Sequence, residues 1–410
     1  MMIGFLRKHT AIPLLALALV ISTGAGVAAQ IAVSANDGKV KLENGTVRVV
    51  KDGVDTVTLV DLAANPPKTV AEIKVPASVA GPPTSVAGSP NEEIALVTAA
   101  MKIDLADPTK KIPDDVVTVL DISRNSGIVR SMTARVQGKQ APSGYEPKVL
   151  ATLTVGKGAA GVSFNKAGTL ALVANRSEGT VSVLTIKGKS VSVLPDKIAL
   201  GNDKSGPSAV SFTPDGKSAL VTRDGDHKIS ILAIDGTKVT DTKREMSAGM
   251  RPYGLDIAPK GDIAVVANIG IGSGDSDTLS VIDLAAKPPR VVSTVSVGQT
   301  PEGVKISPDG RYVAVSVMNG TNKASDNPFF NDKGKVVVLR TNGRELARIV
   351  EADVGRWCQG IVWSTNSRKL IVQCMVEQQL MAFSFDGRKL QPIGTVNTTG
   401  GPAGIRTAEK

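Results

Sequence analysis

The amino-acid sequence predicts an all-β protein, a seven-bladed β-propeller built from four-stranded antiparallel blades. Composition is the first indication, because 41 Gly and 23 Pro among 410 residues, with only 12 aromatics, are typical of many short strands joined by tight turns. The second is that no amphipathic segment of helical period persists beyond the N-terminal region. The third is internal repetition, since two kinds of segment each recur seven times, as in propellers.

The N-terminal residues have the three parts of a secretory signal. Arg7 and Lys8 precede an apolar run at 12–21 and small residues at 22–29, which predicts a signal peptide at 1–29 and one propeller domain at 30–410. Cleavage is expected before Gln30, with a second option before Asn36. A membrane anchor is the alternative, but a span needs about 18 or more apolar residues. The mature protein is expected to be periplasmic or secreted, with no membrane span.

The first repeated segment alternates apolar and polar residues after a small or polar start, which predicts a half-buried third strand in each blade. Its seven copies lie at 55–62, 115–122, 179–186, 227–234, 277–284, 334–341 and 378–385.

The second repeated segment predicts the first two strands of each blade. It has the form Pro/Gly-x-x-Val-x-apolar-Ser-Pro-Asp-Gly, with its best copies at 207–216 and 301–310. Pro, Asp and Gly favour a tight turn, and a short apolar strand such as 219–222 follows. A fourth strand, clearest at 67–75, 147–155 and 289–297, completes the unit.

The two repeats are out of phase at the ends of the chain. The sequence begins with second-, third- and fourth-strand material at 40–75 and ends with an isolated first strand at 401–407. The C-terminal strand is therefore expected to pair with the N-terminal blade, which closes the ring and removes open sheet edges.

The repeats resemble a known family. The segments 171–184 and 277–310, which include Val-Ser-Val-Gly-Gln-Thr-Pro-Glu-Gly-Val at 295–304, are similar to the YVTN repeats of exported bacterial β-propellers, which are related to lactonase-type seven-bladed propellers. The resemblance implies acid/base and oxyanion-stabilising groups at the channel mouth. His227, Arg223, Arg251 and Glu302 are candidates for these roles, although no catalytic motif of the family is matched.

Three insertions between second and third strands, at 101–114, 269–276 and 318–331, are expected on one face of the ring, and a fourth at 124–146 on the opposite face. Polar residues at equivalent positions on the first face are predicted to surround the channel mouth. Mutual ion pairing and turn formation are the alternatives to ligand binding. The predicted ligand-binding residues are Asn175, Arg176, Glu178, Asp224, Tyr253, Asn268, Asn319, Trp357 and Gln359.

Two functions follow from this face. The first is an exported binding or scaffold protein, whose partner is a small molecule or an envelope protein; Phe329 and Phe330 are then a partner anchor, or else they pack onto their own blade. The second is a lactonase-like hydrolase at the channel mouth. The formal net charge is +10, but basic and acidic residues are interspersed, so no nucleic-acid partner is predicted. A monomer is expected.

Cysteine and histidine are too few for a metal or haem site. His227 is the only histidine of the predicted mature chain, there is no Cys-x-x-Cys-His, and no cofactor or metal is predicted. The Asp-containing loop at 272–277 lacks the pattern of a helical calcium loop. Cys358 and Cys374 lie symmetrically about a turn at 364–367, so they are expected to be opposite neighbours, either as a disulfide or as two buried thiols.

Overall fold

The computed structural model describes Met1 and residues 30–124 and 144–408 of the chain. The predicted signal segment, other than Met1, and most of the predicted insertion at 124–146 lie outside these residues. All named elements of the described part are β-strands, and none of it forms a helix long and apolar enough to span a bilayer.

Seven antiparallel sheets form the seven blades of a propeller, which confirms the predicted fold. Blades are numbered in chain order. From the inner strand outward, the strands are Gly401–Thr407, Ile31–Asp37, Thr56–Asp61 and Lys68–Lys74 in blade 1; Val86–Gly88, Ile94–Ile103, Lys111–Asp121 and Lys148–Thr154 in blade 2; Ala159–Phe164, Leu170–Asn175, Thr180–Lys187 and the split strand Ser190–Val193 with Ile198–Ala199 in blade 3; Pro207–Phe212, Ser218–Arg223, Lys228–Asp235 and Lys238–Ser247 in blade 4; Pro252–Ile257, Ile263–Asn268, Asp277–Asp283 and Arg290–Gly298 in blade 5; Pro301–Ile306, Tyr312–Val317, Gly334–Asn342 and Glu345–Val354 in blade 6; and Cys358–Trp363, Lys369–Cys374, Gln379–Phe385 and Leu390–Asn397 in blade 7.

The C-terminal strand closes the ring as predicted. Gly401–Thr407 pairs antiparallel with Ile31–Asp37, in a register that sets Ala32 opposite Thr407 and Asp37 opposite Gly401. Blade 1 is therefore made from both ends of the described chain.

The prediction of where blade 1 begins was wrong. Its second strand is Ile31–Asp37, whereas Val40–Glu43 and Thr46–Val49 form a separate two-stranded hairpin between the second and third strands. Asn44 and Gly45 form its turn with positive φ angles of 42° and 76°, as tight hairpins require. The hairpin strands have the same alternation of apolar and polar residues as a blade strand. This is why they were assigned to blade 1 from the sequence.

Burial decreases from the channel outward. Inner strands such as Ala159–Phe164 are buried along their whole length, while the outer strand Arg290–Gly298 alternates between exposed and half-buried residues. Apolar side chains of neighbouring blades form the core, for example Val265 of blade 5 with Val304 and Val315 of blade 6. Blade-to-blade packing therefore fixes the positions of the strand ends.

Inner strands of neighbouring blades approach each other closely through glycine. A Cβ atom on Gly161, Gly254 or Gly303 would lie well inside 3.0 Å of a main-chain oxygen of the next inner strand. The glycine of the Pro-x-Gly-Val segment is thus required by close packing around the axis.

One face of the ring carries the loops between second and third strands and the starts of the inner strands; it is called the insertion face below. The opposite face carries the Pro-Asp-Gly turns and is called the base face.

Candidate active site

Five side chains gather at the channel mouth on the insertion face. Arg176 and Asp224 directly follow the second strands of blades 3 and 4, while Arg251, Tyr253 and Glu302 lie at the starts of the inner strands of blades 5 and 6. Both kinds of position recur around the ring, so the fold directs them toward the channel axis. These five residues are called the mouth cluster.

Asp224 holds the two arginines in place. Its Oδ2 accepts hydrogen bonds from Arg176 Nη2 at 2.7 Å and from Arg251 Nη2 at 3.1 Å. Ser208 Oγ donates to Asp224 Oδ1 at 2.9 Å and accepts from Arg176 Nη1 at 2.6 Å. Because Asp224 is almost fully buried, this pairing orients both guanidinium groups toward the mouth.

Glu302 is the chemically unusual member of the mouth cluster. The residue is only 7% exposed, and its Oε2 has no hydrogen-bond partner among the described residues. Burial raises the pKa of Glu302 from 4.5 to about 8, although Arg251 and Arg176 act in the opposite direction. A carboxyl group with this pKa remains largely protonated at neutral pH and can donate a proton.

Tyr253 supplies an aromatic face and a hydroxyl group. The Arg176 guanidinium carbon lies 5.6 Å from the centre of its ring, within cation–π range. Burial raises the pKa of the Tyr253 hydroxyl, so it stays protonated as a hydrogen-bond donor. The mouth cluster thus combines two guanidinium groups, two buried carboxyl groups and one phenol, the group types that acyl-transfer chemistry uses.

Comparison with known proteins agrees with this architecture. Residues 129–287 match the family described as lactonase, 7-bladed beta-propeller. The fold is that of a seven-bladed β-propeller. The matched range includes four members of the mouth cluster, whereas Glu302 lies beyond it. No curated protein matches the chain.

Solved structures with the same fold share little sequence with the chain. A putative 6-phosphogluconolactonase from Bacteroides fragilis is 16% identical, with 93% of this chain and 99% of that one covered and a TM-score of 0.66. The periplasmic gluconolactonase PpgL of Pseudomonas aeruginosa is 14% identical, with 92% and 99% covered and a TM-score of 0.62. Kuenenia stuttgartiensis hydrazine synthase is 18% identical, with 80% of this chain and 91% of that one covered and a TM-score of 0.58. These similarities establish the fold.

The mouth of the propeller also has an apolar half, which was not predicted from the sequence. Met318 and Met375 follow the second strands of blades 6 and 7, the positions that Arg176 and Asp224 take in blades 3 and 4. They form a buried cluster with Trp357, Val40 and Val79. The repeats themselves could have shown this, because Met318 and Met375 occupy the same repeat position as Arg176 and Asp224.

Trp357 was predicted to bind ligand, but it belongs to this apolar cluster and is 7% exposed. Its position directly before an inner strand is equivalent to that of Arg251. Both residues have positive φ, 49° and 55°, where Gly158, Gly206 and Gly400 stand in other blades. A left-handed backbone at a large residue is strained, and such strain is concentrated at functional sites.

Two of the proposed catalytic residues border the mouth cluster but are engaged in other interactions. Arg223 pairs with Asp226 and Glu245, which is the ion-pairing alternative. His227 is exposed, and its Nδ1 accepts a hydrogen bond from the main-chain N–H of Arg251 at 3.1 Å. Arg251 and Glu302, in contrast, belong to the mouth cluster.

The asparagines that end second strands have a structural role. Nδ2 of Asn175 donates to Thr180 and Ser182, and Nδ2 of Asn268 donates to Thr278 and Ser280, each at 2.9–3.0 Å. Both amides therefore brace the third strand of their own blade.

Three more predicted ligand-binding residues form hydrogen bonds within the protein. Glu178 accepts a hydrogen bond from the main chain of Lys157 and pairs with Lys197. Asn319 Nδ2 donates to the carbonyl of Lys333. Gln359 is buried beside the mouth; its Nε2 donates to the carbonyl of Ala80 at 3.3 Å, and its Oε1 has no partner among the described residues.

The blade 6 insertion packs across blades. Phe329 lies against Gly274 of the blade 5 loop and is 44% exposed, while Phe330 is half-buried. At the other end of the insertion, the main-chain N–H of Ser325 donates to Asn44 of the blade 1 hairpin at 2.7 Å. The insertion is thus fixed to the blade 5 loop and to the blade 1 hairpin.

Cys358 and Cys374 are register partners on the inner and second strands of blade 7 and are joined by a disulfide bond. This decides between the two alternatives left by the sequence. In the described part of the chain, no three His, Cys, Asp or Glu side chains group as metal ligands would.

Proposed function

We propose that the protein is an exported lactonase-like hydrolase whose reaction takes place at the mouth cluster. The observation that carries the proposal is Glu302, a buried acid placed with Arg176, Arg251 and Tyr253, whose Oε2 accepts no hydrogen bond from any described residue. The lactonase family match and the gluconolactonase-type structures support this function over the binding or scaffold protein that the sequence put first.

The mouth cluster suits the hydrolysis of a lactone. Water adds to the ring carbonyl carbon and loses a proton to solvent, the bond from that carbon to the ring oxygen breaks, and the ring oxygen takes up a proton. Glu302, protonated below about pH 8, donates this proton as a general acid and is reprotonated from solvent. The guanidinium groups of Arg176 and Arg251 stabilise the negative charge that develops on the carbonyl oxygen.

Export is supported by the disulfide bond. Structural disulfides persist in oxidising compartments such as the bacterial periplasm, and the bond between Cys358 and Cys374 joins two strands at the insertion face. A periplasmic location also agrees with the signal pattern at 1–29.

The decisive experiment compares Glu302→Gln with wild type on a panel of γ- and δ-lactones, followed by acid release in a pH-stat. Glutamine keeps the shape and the uncharged state of Glu302 at neutral pH, so folding is expected to be preserved while kcat falls by about 10²–10⁴-fold. Glu351→Gln, on the exposed outer strand of the same blade, is the matched control and should keep full activity.

Arg251→Gly tests the second role without disturbing the backbone. Glycine adopts the positive φ of Arg251 without strain, as Gly158 and Gly206 do at equivalent positions, so a loss of kcat reports the missing guanidinium. Wild-type protein that hydrolyses no lactone of the panel, or full activity in Glu302→Gln, would contradict the proposed function.

A further inference from the structure

A cavity opens at the base face, at the opposite end of the channel from the mouth cluster. Its volume is about 190 Å³. Phe164, Phe212, Ile257 and Ile306, at the ends of inner strands, supply much of its apolar wall, together with the prolines of the Pro-Asp-Gly turns. It is called the base cavity below.

Toward the channel, the base cavity narrows beside Arg406. A space of about 10 Å³ continues inward and shares Phe164, Ser211 and Thr407 with the wider part. Arg406 lines this narrow part and is 6% exposed. A space of this size holds about one water-sized group.

Arg406 carries a buried charge that has no carboxylate partner in the part of the chain that the structure describes. Among the described residues it forms no ion pair, and its guanidinium contacts the carbonyl of Ile405 at 3.5 Å, the limit of a hydrogen bond. Lys305, which also lines the base cavity, is paired with Asp256 at 2.8 Å, so these two charges offset each other. Lys166 adds a further positive charge at the exposed rim. A buried cation of this kind calls for an anionic partner.

The size of the base cavity limits what this partner can be. An apolar cavity of about 150 Å³ holds one benzene ring, so 190 Å³ has room for one ring and a short arm. We propose that the base cavity is a binding site for small aromatic carboxylic acids, with the ring between Phe164 and Phe212 and the carboxylate at Arg406.

The test is isothermal titration calorimetry with benzoate, phenylacetate and 3-phenylpropionate, each compared with its uncharged primary amide. At least one acid should bind wild type tenfold or more tightly than its amide, because a hydrogen bond to a charged partner is stronger than one to a neutral partner. Arg406→Gln should remove this preference. Arg388→Gln, which removes an exposed positive charge from the outer hairpin of blade 7, should leave it unchanged.

Two further variants keep the test informative. Lys166→Gln changes an exposed residue that is not needed for folding, and it should weaken binding of the acid about two- to fivefold without affecting the amide. Glu302→Gln should bind the acids as wild type does, since the mouth cluster lies at the other end of the channel. The proposal is overturned if no acid binds wild type, if acid and amide bind equally, or if folded Arg406→Gln keeps the preference.

Discussion

At the scale of single residues, Glu302 makes stability depend on pH. Its pKa is about 8 in the folded protein and near 4.5 when exposed, so between these values the folded state holds a proton that the unfolded state has lost. The free energy of unfolding contributed by Glu302 is therefore full below about pH 4.5 and is lost as pH rises toward 8. Because each unit of pKa shift corresponds to about 1.4 kcal/mol, we expect a total loss of a few kcal/mol.

Denaturant unfolding of wild type and Glu302→Gln between pH 6 and 9 measures this effect. Wild type should lose stability across the range, whereas the glutamine variant should lose less and be the more stable protein at pH 9. Burial also raises the pKa of Asp37, to about 6. Asp37 therefore affects the free energy of unfolding mainly below pH 6. Parallel curves for the two proteins would show that Glu302 is ionised throughout.

All five members of the mouth cluster were among the candidates named from the sequence, but their partners were not predicted. Arg223 and Asp224 are consecutive, yet their partners lie on different sides. Arg223 pairs outward with Glu245, whereas Asp224 binds Arg176 and Arg251 at the mouth. Side chains on successive residues of an extended chain point to opposite sides. Because the strand register inferred from sequence is uncertain by one residue, the sequence does not tell which of Arg223 and Asp224 points to the mouth. Burial of Glu302, which sets its pKa, depends on packing between blades and leaves no local pattern.

At the scale of strands, Gly254 controls the position of Glu302. A Cβ on Gly254 would collide with the main-chain oxygen of Glu302 on the next inner strand. We expect Gly254→Ala to lower the free energy of unfolding by about 1–3 kcal/mol, as overpacking does, and to lower kcat on any lactone that wild type hydrolyses, because the general acid is displaced. Thermal unfolding and the pH-stat assay measure the two effects.

Gly88→Ala is the control for this prediction. Gly88 also lies in an inner strand, but a Cβ there would meet its nearest neighbour at 3.4 Å, an ordinary contact distance. A Gly254→Ala variant as stable and as active as Gly88→Ala would show that the inner strands are more widely spaced than described.

Strand order was accessible from sequence because each blade repeats the same turn and alternation. The hairpin of Val40–Glu43 and Thr46–Val49 was not recognised, since its alternating pattern is the same as that of a blade strand and only pairing partners tell them apart. The apolar half of the mouth was missed because no single blade contains it; Met318, Trp357 and Met375 come together only in the closed ring.

At the scale of the whole molecule, closure makes every blade depend on the C-terminal strand. Ile405 of Gly401–Thr407 is fully buried and packs with Ala32 and Val60 of blade 1 and with Val362 and Ile371 of blade 7. It therefore packs blade 1, in which the ring closes, against blade 7.

We expect Ile405→Ala to lower the free energy of unfolding by about 2–5 kcal/mol, the cost of a cavity in a core that cannot collapse around it. Because an open ring exposes strand edges and apolar blade faces at once, the loss should appear in one cooperative transition. Far-UV circular dichroism reports all blades, and fluorescence of Trp357 and Trp363 reports blade 7.

Val292→Ala, on an outer strand and 40% exposed, is the control and should change the free energy of unfolding by no more than about 0.5 kcal/mol. Separate transitions in the two signals would instead mean that blade 7 opens on its own and that the other blades remain folded without closure.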